Sequence, residues 1–276
     1  MTEKTAKHIS AFTLVELVVT IVIIGILASM GGMFISRPME GYVDLKRRAA
    51  LVDQAESALR RMQRDIRAAL PNSIRVFDGG KGIEFLHIVD GGRYRRRPDP
   101  NATPPAKQDN VLQFDHADTE FEVLGGLEHF SRIDTANDFV VIYNLAASGG
   151  TANAYTGDNA AFLGNASTAA ILELDPGKRF PYASPFQRFF IVDTAISYTV
   201  ENGELRRYSG YTVDNTPGPD TGDSSSLVAK HLDENSYFAY QSATANRSGL
   251  AIMHLYLADS GEGISLLHQV HVNNTP

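Results

Sequence analysis

The sequence predicts an α+β protein: a long N-terminal helix, membrane-like in its first half and amphipathic in its second, packed on an antiparallel β-sheet head. Three observations carry that expectation. Leu17 to Ile35 contains no charged residue. Met39 to Leu70 repeats apolar side chains at helical spacing. Residues 71–276 break into short apolar runs separated by Gly, Pro, Asn and Asp, as antiparallel strands do. The chain has 276 residues, 43% hydrophobic and 21% charged, with a net charge of -7. That is enough for one large domain or two small ones, and it excludes collagen-like, wholly disordered and multi-span membrane classes. There is no cysteine, so disulfide scaffolds, thiolate metal sites and cysteine nucleophiles are excluded. The acidic balance argues against nucleic acid as the main partner.

Residues 1–11 are polar, and Phe12–Arg37 forms the apolar segment. At about 1.5 Å per residue, a helix over Phe12–Ile35 spans roughly 36 Å, enough for a ~30 Å hydrocarbon core. The apolar run is longer than a secretory signal core, and no Ala-x-Ala site follows it. Lys4 and Lys7 precede the run, and Arg37, Lys46, Arg47 and Arg48 follow it, so a simple positive-inside count places the C-terminal part in the cytoplasm. Glu16 lies inside the apolar segment. A carboxylate there costs a few kcal/mol and is a functional candidate by default. Arg37-Pro38 is expected to break or kink the helix. Residues 38–70 read as an amphipathic helix, with Leu45, Val52, Leu59 and Ile66 on one seam, Ala49, Ala55, Met62 and Ala69 beside it, and Pro71 closing it.

Ala11-Phe12-Thr13-Leu14-Val15-Glu16-Leu17 resembles the signature of the type IV prepilin family. The resemblance implies that prepilin peptidase removes residues 1–11 by cutting between Ala11 and Phe12, and that the new Phe12 amine is N-methylated. It implies a cytoplasmic leader, an inner-membrane anchor and a periplasmic head, later exposed on a pilus, against the positive-inside count. The family usually carries Gly where this chain has Ala11. Glu16 takes the fifth mature position. Its carboxylate and a neighbouring subunit's amine can pair when helices stack, because an unpaired carboxylate in an apolar bundle is costly. Glu16 is therefore the expected register and assembly residue. The stretch from Gly31 to Val76 is similar to the MshO-type minor pilins of the mannose-sensitive haemagglutinin (MSHA) pilus system. Ile196 to Gly210 is similar to the strand–turn–strand of larger minor pilins and pseudopilins.

In the head, strands are expected at Ser73–Phe77, Gly82–Val89, Val111–Phe114, Asp138–Leu145, Ala170–Leu174, Phe189–Glu201, Glu204–Tyr211, Leu227–His231, Tyr237–Gln241, Leu250–Asp259 and Ile264–Val272. Asn202-Gly203 is a strong hairpin signal, and the stretch Ser260–Gly263 joins the last two strands. Pro98–Asn110, Ala146–Ser167 and Asp214–Ser226 read as surface loops.

No metalloprotease, phosphate-loop or nucleophile-elbow motif is present, and the chain is not expected to be an enzyme. His268 and His271 sit on one strand with opposite facing, which does not make a metal pair. Asp214, Asp220 and Asp223 form a candidate Ca²⁺ loop, with a solvated acidic loop as the simpler reading; no other cofactor is implied. Arg93, Arg95, Arg96 and Arg97 form a candidate patch for an anionic partner, the alternatives being a subunit contact or an edge kept soluble by charge.

The functional expectation is a minor pilin-like structural subunit for initiation or the tip of an MSHA-like type IV pilus. Its expected partners are prepilin peptidase, other minor and major pilins and the inner-membrane assembly platform. The competing readings are a minor pseudopilin of a type II secretion system, a tip adhesin or DNA-binding minor pilin, and an unprocessed membrane-anchored enzyme.

Overall fold

The computed structural model describes residues 12–98, 110–220, 222–243 and 247–272, with side chains left out at 31–38 and 40. Among the described residues one α-helix, α1 (Leu14–Arg67), is followed by twelve strands: β1 (Arg75–Phe77), β2 (Gly82–Arg93), β3 (Asp118–Glu122), β4 (Phe139–Ile142), β5 (Ala160–Phe162), β6 (Ile171–Lys178), β7 (Arg188–Glu201), β8 (Glu204–Ser209), β9 (Ser225–Lys230), β10 (Tyr237–Gln241), β11 (Gly249–Asp259) and β12 (Glu262–Val272). An α+β architecture of one N-terminal helix and antiparallel sheets is what the composition and periodicity implied. Two compact units divide the chain within α1, residues 1–50 and residues 51–276.

In the second unit, α1 buries Leu51, Ala55, Ala58, Leu59, Met62 and Ile66. These positions fall three and four residues apart, on one helical face. That face shares a core with Ile83 and Phe85 of β2, Ile196 and Tyr198 of β7, and Met253, Leu255 and Leu257 of β11. The seam expected through Leu45 does not form as drawn: Leu45 is 68% exposed, and Ala58 replaces Val52 on the buried stripe. Small Ala55 and Ala58 let the helix approach the sheets, whereas Val52 at the stripe's margin is half-buried. The helix also ends at Arg67, before the expected Leu70. Beyond it the backbone turns to the edge of β2, where the Leu70 amide donates to the Leu86 carbonyl at 2.8 Å and the Ile88 amide to the Ala68 carbonyl at 2.9 Å. Pro38 lies inside α1 rather than ending a first helix.

A seven-stranded sheet runs in the order β1-β2-β7-β4-β5, with β8 on β7 and β9 on β8. β7 is its spine. One edge pairs with β2 along its length, and the other pairs with β4 at Phe189–Val192 and with β8 at Ile196–Glu201. Opposite ends of β7 therefore serve different cores. The β4 end meets an aromatic cluster of Tyr94, Phe121, Phe180 and Phe189, with Phe121 and Phe189 edge to face at 5.2 Å. The β8 end meets the α1 core. β10-β11-β12 form a separate three-stranded sheet, and β3-β6 pair alone.

Both predicted hairpins are present. Asn202 and Gly203 have φ of 50° and 75°, and Ser260 and Gly261 have 50° and 91°. Positive φ at both central residues is the tight hairpin turn whose twist suits the flanking strands. The expected strand at Val111–Phe114 is irregular backbone: its Leu112 is buried, but the Gln113 amide donates to the Asp118 side chain at 2.8 Å instead of to a ladder. β3 and β5 were not expected. Ala146–Ser167 is also more than a surface loop, since it contains β5 and buries Ala154 and Tyr155. Of the expected loop Pro98–Asn110, residues 99–109 lie outside the described residues.

Candidate functional site: the N-terminal segment

Phe12 and Thr13 precede α1 in non-helical conformation, and Phe12 is 72% exposed. Thr13 occupies the cap position. Its hydroxyl accepts a hydrogen bond from the Glu16 amide at 3.3 Å, and its carbonyl accepts from the Leu17 amide at 3.1 Å. Glu16 is thus the third helical residue, the place where a carboxylate complements the positive end of the helix dipole. Thr13-Leu14-Val15-Glu16 has the spacing of a capping box ahead of an apolar run, a signal in the sequence that identifies Thr13 as well as Glu16. Among the described residues, the Glu16 carboxylate itself accepts no hydrogen bond, and it is exposed. Ala11, on the other side of the expected cleavage bond, lies outside the described residues.

Behind this cap, Leu14, Val15, Leu17, Val18, Ile21, Ile24, Leu27 and Met30 are all at least half exposed, so the helix is apolar on every side. The hydroxyls of Thr20 and Ser29 donate to the Leu17 and Ile26 carbonyls at 2.9 and 2.8 Å, which leaves neither polar group unsatisfied in an apolar setting. Among the described residues no helix is long and apolar enough to cross a membrane. The side chains described for this run stop at Met30, and the expected anchor, residues 12–37, extends past them.

The head places the other candidate residues apart. Asp214 accepts from the Thr216 amide at 2.7 Å, while Asp223 accepts from the Asp220 amide at 2.7 Å in a turn of its own. Among the described residues, which include Asp214, Asp220 and Asp223, no three carboxylate or imidazole groups gather in a way that would hold a metal ion. The start of this loop turns its carbonyls toward Arg75. The Arg75 guanidinium donates to the carbonyls of Asp214, Asn215 and Thr216 at 3.0, 3.2 and 2.9 Å. Arg75 also pairs with Glu84, lies 3.5 Å over the Tyr155 ring, and shares Glu84 with the Tyr211 hydroxyl at 2.6 Å. Burial and the nearby Glu84 carboxylate push the Tyr211 and Tyr155 hydroxyls far above their ordinary pKa, which keeps them neutral donors. Nothing in local spacing marked this cluster.

The side chains of the basic run differ in their surroundings. Arg93 ends β2 opposite Arg188. Tyr94 is fully buried, with its hydroxyl accepting from the Ser184 amide at 2.9 Å. Arg95 forms a forked pair with Glu122 at 2.6 and 2.9 Å. Arg96 and Arg97 remain exposed. The buried Tyr94 and the Arg95–Glu122 pair divide the run.

One apolar cavity of about 380 Å³ opens in the head between β5 and the end of β6, lined by Phe139, Tyr155, Phe162, Pro176, Lys178 and Val213 among others. It contains no nucleophile paired with a base.

Residues 6–32 match the prokaryotic N-terminal methylation motif. The motif fits a type IV pilin-like or pseudopilin protein and implies processing by prepilin peptidase and assembly with other pilins. Phe12, Thr13 and Glu16 all lie within the matched residues. No curated protein and no solved structure matches the chain at a significant level, so the narrower likeness to MSHA minor pilins draws no support from comparison.

Proposed function

We propose that this chain is a minor pilin-like structural subunit that takes part in assembly, at initiation or at the tip, of an MSHA-like type IV pilus, in the place of an MshO-type minor pilin. One observation carries the reading: the methylation motif coincides with a capped helix whose third residue is Glu16 and whose apolar side chains have no protein core to cover them. Such a surface is stable only in lipid or against other apolar helices. An apolar bundle would favour the stacking register that gives each Glu16 a cationic partner. The amine released at Phe12 is that partner in chemistry and in position.

In this reading the chain is a single-pass inner-membrane protein with residues 1–11 in the cytoplasm and the head in the periplasm. Prepilin peptidase cuts between Ala11 and Phe12, Phe12 is N-methylated, and the assembly platform passes the subunit into the pilus with its partner pilins. The chain is not an enzyme, uses no cofactor and does not take nucleic acid as its main partner. The large head suits a low-copy position.

Mass spectrometry of the chain isolated from membranes tests the reading. The expected mature N-terminus is N-methylated Phe12, and deletion of the gene should remove surface pili. An intact Met1 overturns the pilin reading. A processed chain whose loss blocks protein secretion but leaves pili intact replaces it with the pseudopilin reading.

A further inference from the structure

β12 is an edge strand, with β11 on one side and, among the described residues, no backbone hydrogen bond on the other. Edges of this length normally carry a lysine, a proline or a bulge that discourages pairing. β12 has none of these. Its sequence is Glu-Gly-Ile-Ser-Leu-Leu-His-Gln-Val-His-Val, its register with β11 is unbroken from Val272 to Glu262, and its single carboxylate stands at the hairpin end. Leu267, at the centre of the solvent-facing row, is 55% exposed.

The hairpin determines which backbone groups are free. Asp259 and Glu262 flank a two-residue turn, so they exchange both hydrogen bonds with each other. Alternation then aims the amides and carbonyls of Ile264, Leu266, His268 and Val270 at β11. Those of Gly263, Ser265, Leu267, Gln269 and His271 aim at the open edge. The same residues form the exposed row, while Ile264, Val270 and Val272 are buried.

We infer that this edge binds the β12 edge of a second copy of the chain, in antiparallel register centred on Leu267. A two-fold axis requires a self-complementary segment, and β12 is one. Centring on Leu267 places Leu267 opposite Leu267, Ser265 opposite Gln269 and Gly263 opposite His271, so every outward backbone group meets an outward group. On the core side the same register sets Ile264 opposite Val270 and Leu266 opposite His268. Glu262 falls opposite Val272, beside the other copy's His271, and no like charges meet. A one-residue slip of one strand, which moves the centre by half a residue, would turn the free amides of one copy toward residues whose amides are already used; of the centres that keep outward groups paired, Leu267 is the one that sets the exposed Leu267 side chains against each other. The pairing joins the two three-stranded sheets into one continuous sheet, and it involves neither the N-terminal motif nor α1.

The chain has no cysteine, so single introduced thiols report the contact without background. The full chain is expressed in its own membrane as Leu267→Cys and treated with a short bis-maleimide. The expected product is a covalent homodimer in at least about tenfold excess over Leu124→Cys, an exposed position on another part of the head. Ser265→Cys and Gln269→Cys should cross-link when co-expressed and not when expressed singly. No homodimer from Leu267→Cys overturns the inference, and so does cross-linking of Leu267→Cys to a different protein. Cross-linking of the Ser265→Cys or Gln269→Cys chain expressed singly at the yield of the co-expressed pair overturns the register. Because the experiment needs no leader removal, its outcome is independent of the pilin reading.

Discussion

The Thr13 hydroxyl accepts a hydrogen bond from the Glu16 amide at 3.3 Å, so the residue that closes the N-terminal motif is also the one whose backbone the helix cap holds. The cap leaves the Glu16 carboxylate free to pair elsewhere, and it starts the apolar helix within two residues of Phe12.

Glu16→Ala should leave removal of residues 1–11 unchanged by mass spectrometry. It should reduce incorporation into surface filaments at least about tenfold, the equivalent of ~1.4 kcal/mol. Thr13→Ala removes the cap, at a cost of about 1 kcal/mol to the helix end, and should reduce incorporation less. Normal incorporation of the Glu16→Ala chain would remove the pairing role.

Arg75 and Glu84 are 7% and 1% exposed. Removing one partner strands the other charge, which typically costs about 3–5 kcal/mol. Arg75→Met should lower the melting temperature of the full chain in detergent by roughly 6–20 °C and free the Asp214–Thr216 strap. Arg75→Met combined with Glu84→Leu should recover a large part of that loss, because the uncompensated carboxylate is gone. A double variant no better than the single one would show that the carbonyl contacts, not the charge, carry the stability.

Two groups of the head, Asp138 and His87, should contribute more stability in mild acid than at neutral pH. Burial raises the Asp138 carboxyl to about 6, above its unfolded value of 3.8, so its contribution is full below 3.8 and is lost as pH rises through about 6. The hydrogen bond that His87 donates to the Asp193 carboxylate is the main cause that raises His87 above 6.5. Its contribution is likewise full below 6.5 and is lost as pH rises through its folded value. Each group accounts for at most ~1.4 kcal/mol per pH unit. Urea midpoints for Asp138→Asn should lose the dependence between about pH 4 and pH 6, since Asn still accepts from the Asp134 amide, and should rise at pH 7. An unchanged slope would exclude Asp138 as the source.

Within the basic run the residues should separate by burial. Tyr94→Ala empties a fully buried site in the aromatic cluster and should cost about 3–5 kcal/mol in chemical denaturation. Arg96→Glu and Arg97→Glu, both exposed, should change stability by less than about 0.5 kcal/mol. Comparable losses at all three positions would mean that the run works as a unit.

Much of this was legible along the chain because the signals are local. The apolar run, the Thr-x-x-Glu spacing, the helical stripe and the Asn202-Gly203 turn each act within a few residues. Most strands were found for the same reason. Val111–Phe114 reads as a strand from its apolar residues, but they are buried without joining a ladder. β5 was missed because three residues inside a Gly- and Asn-rich stretch show no alternation. The sequence by itself determined the motif at Phe12–Glu16, the helix behind it and the all-antiparallel character of the head.

The tertiary structure alone decided which charges matter. Arg75 meets the carbonyl of a residue 140 positions away, and Asp65 on α1 accepts from the Tyr198 hydroxyl at 2.7 Å and from Arg207 at 2.8 Å. It also decided that Arg93, Arg95, Arg96 and Arg97 differ in their surroundings, that the start of the acidic loop turns its carbonyls toward Arg75, and that β12 is left with an open edge. These outcomes depend on which strand lies beside which. Strand order comes from long-range packing, whereas capping, periodicity and turn chemistry report only on near neighbours in the chain.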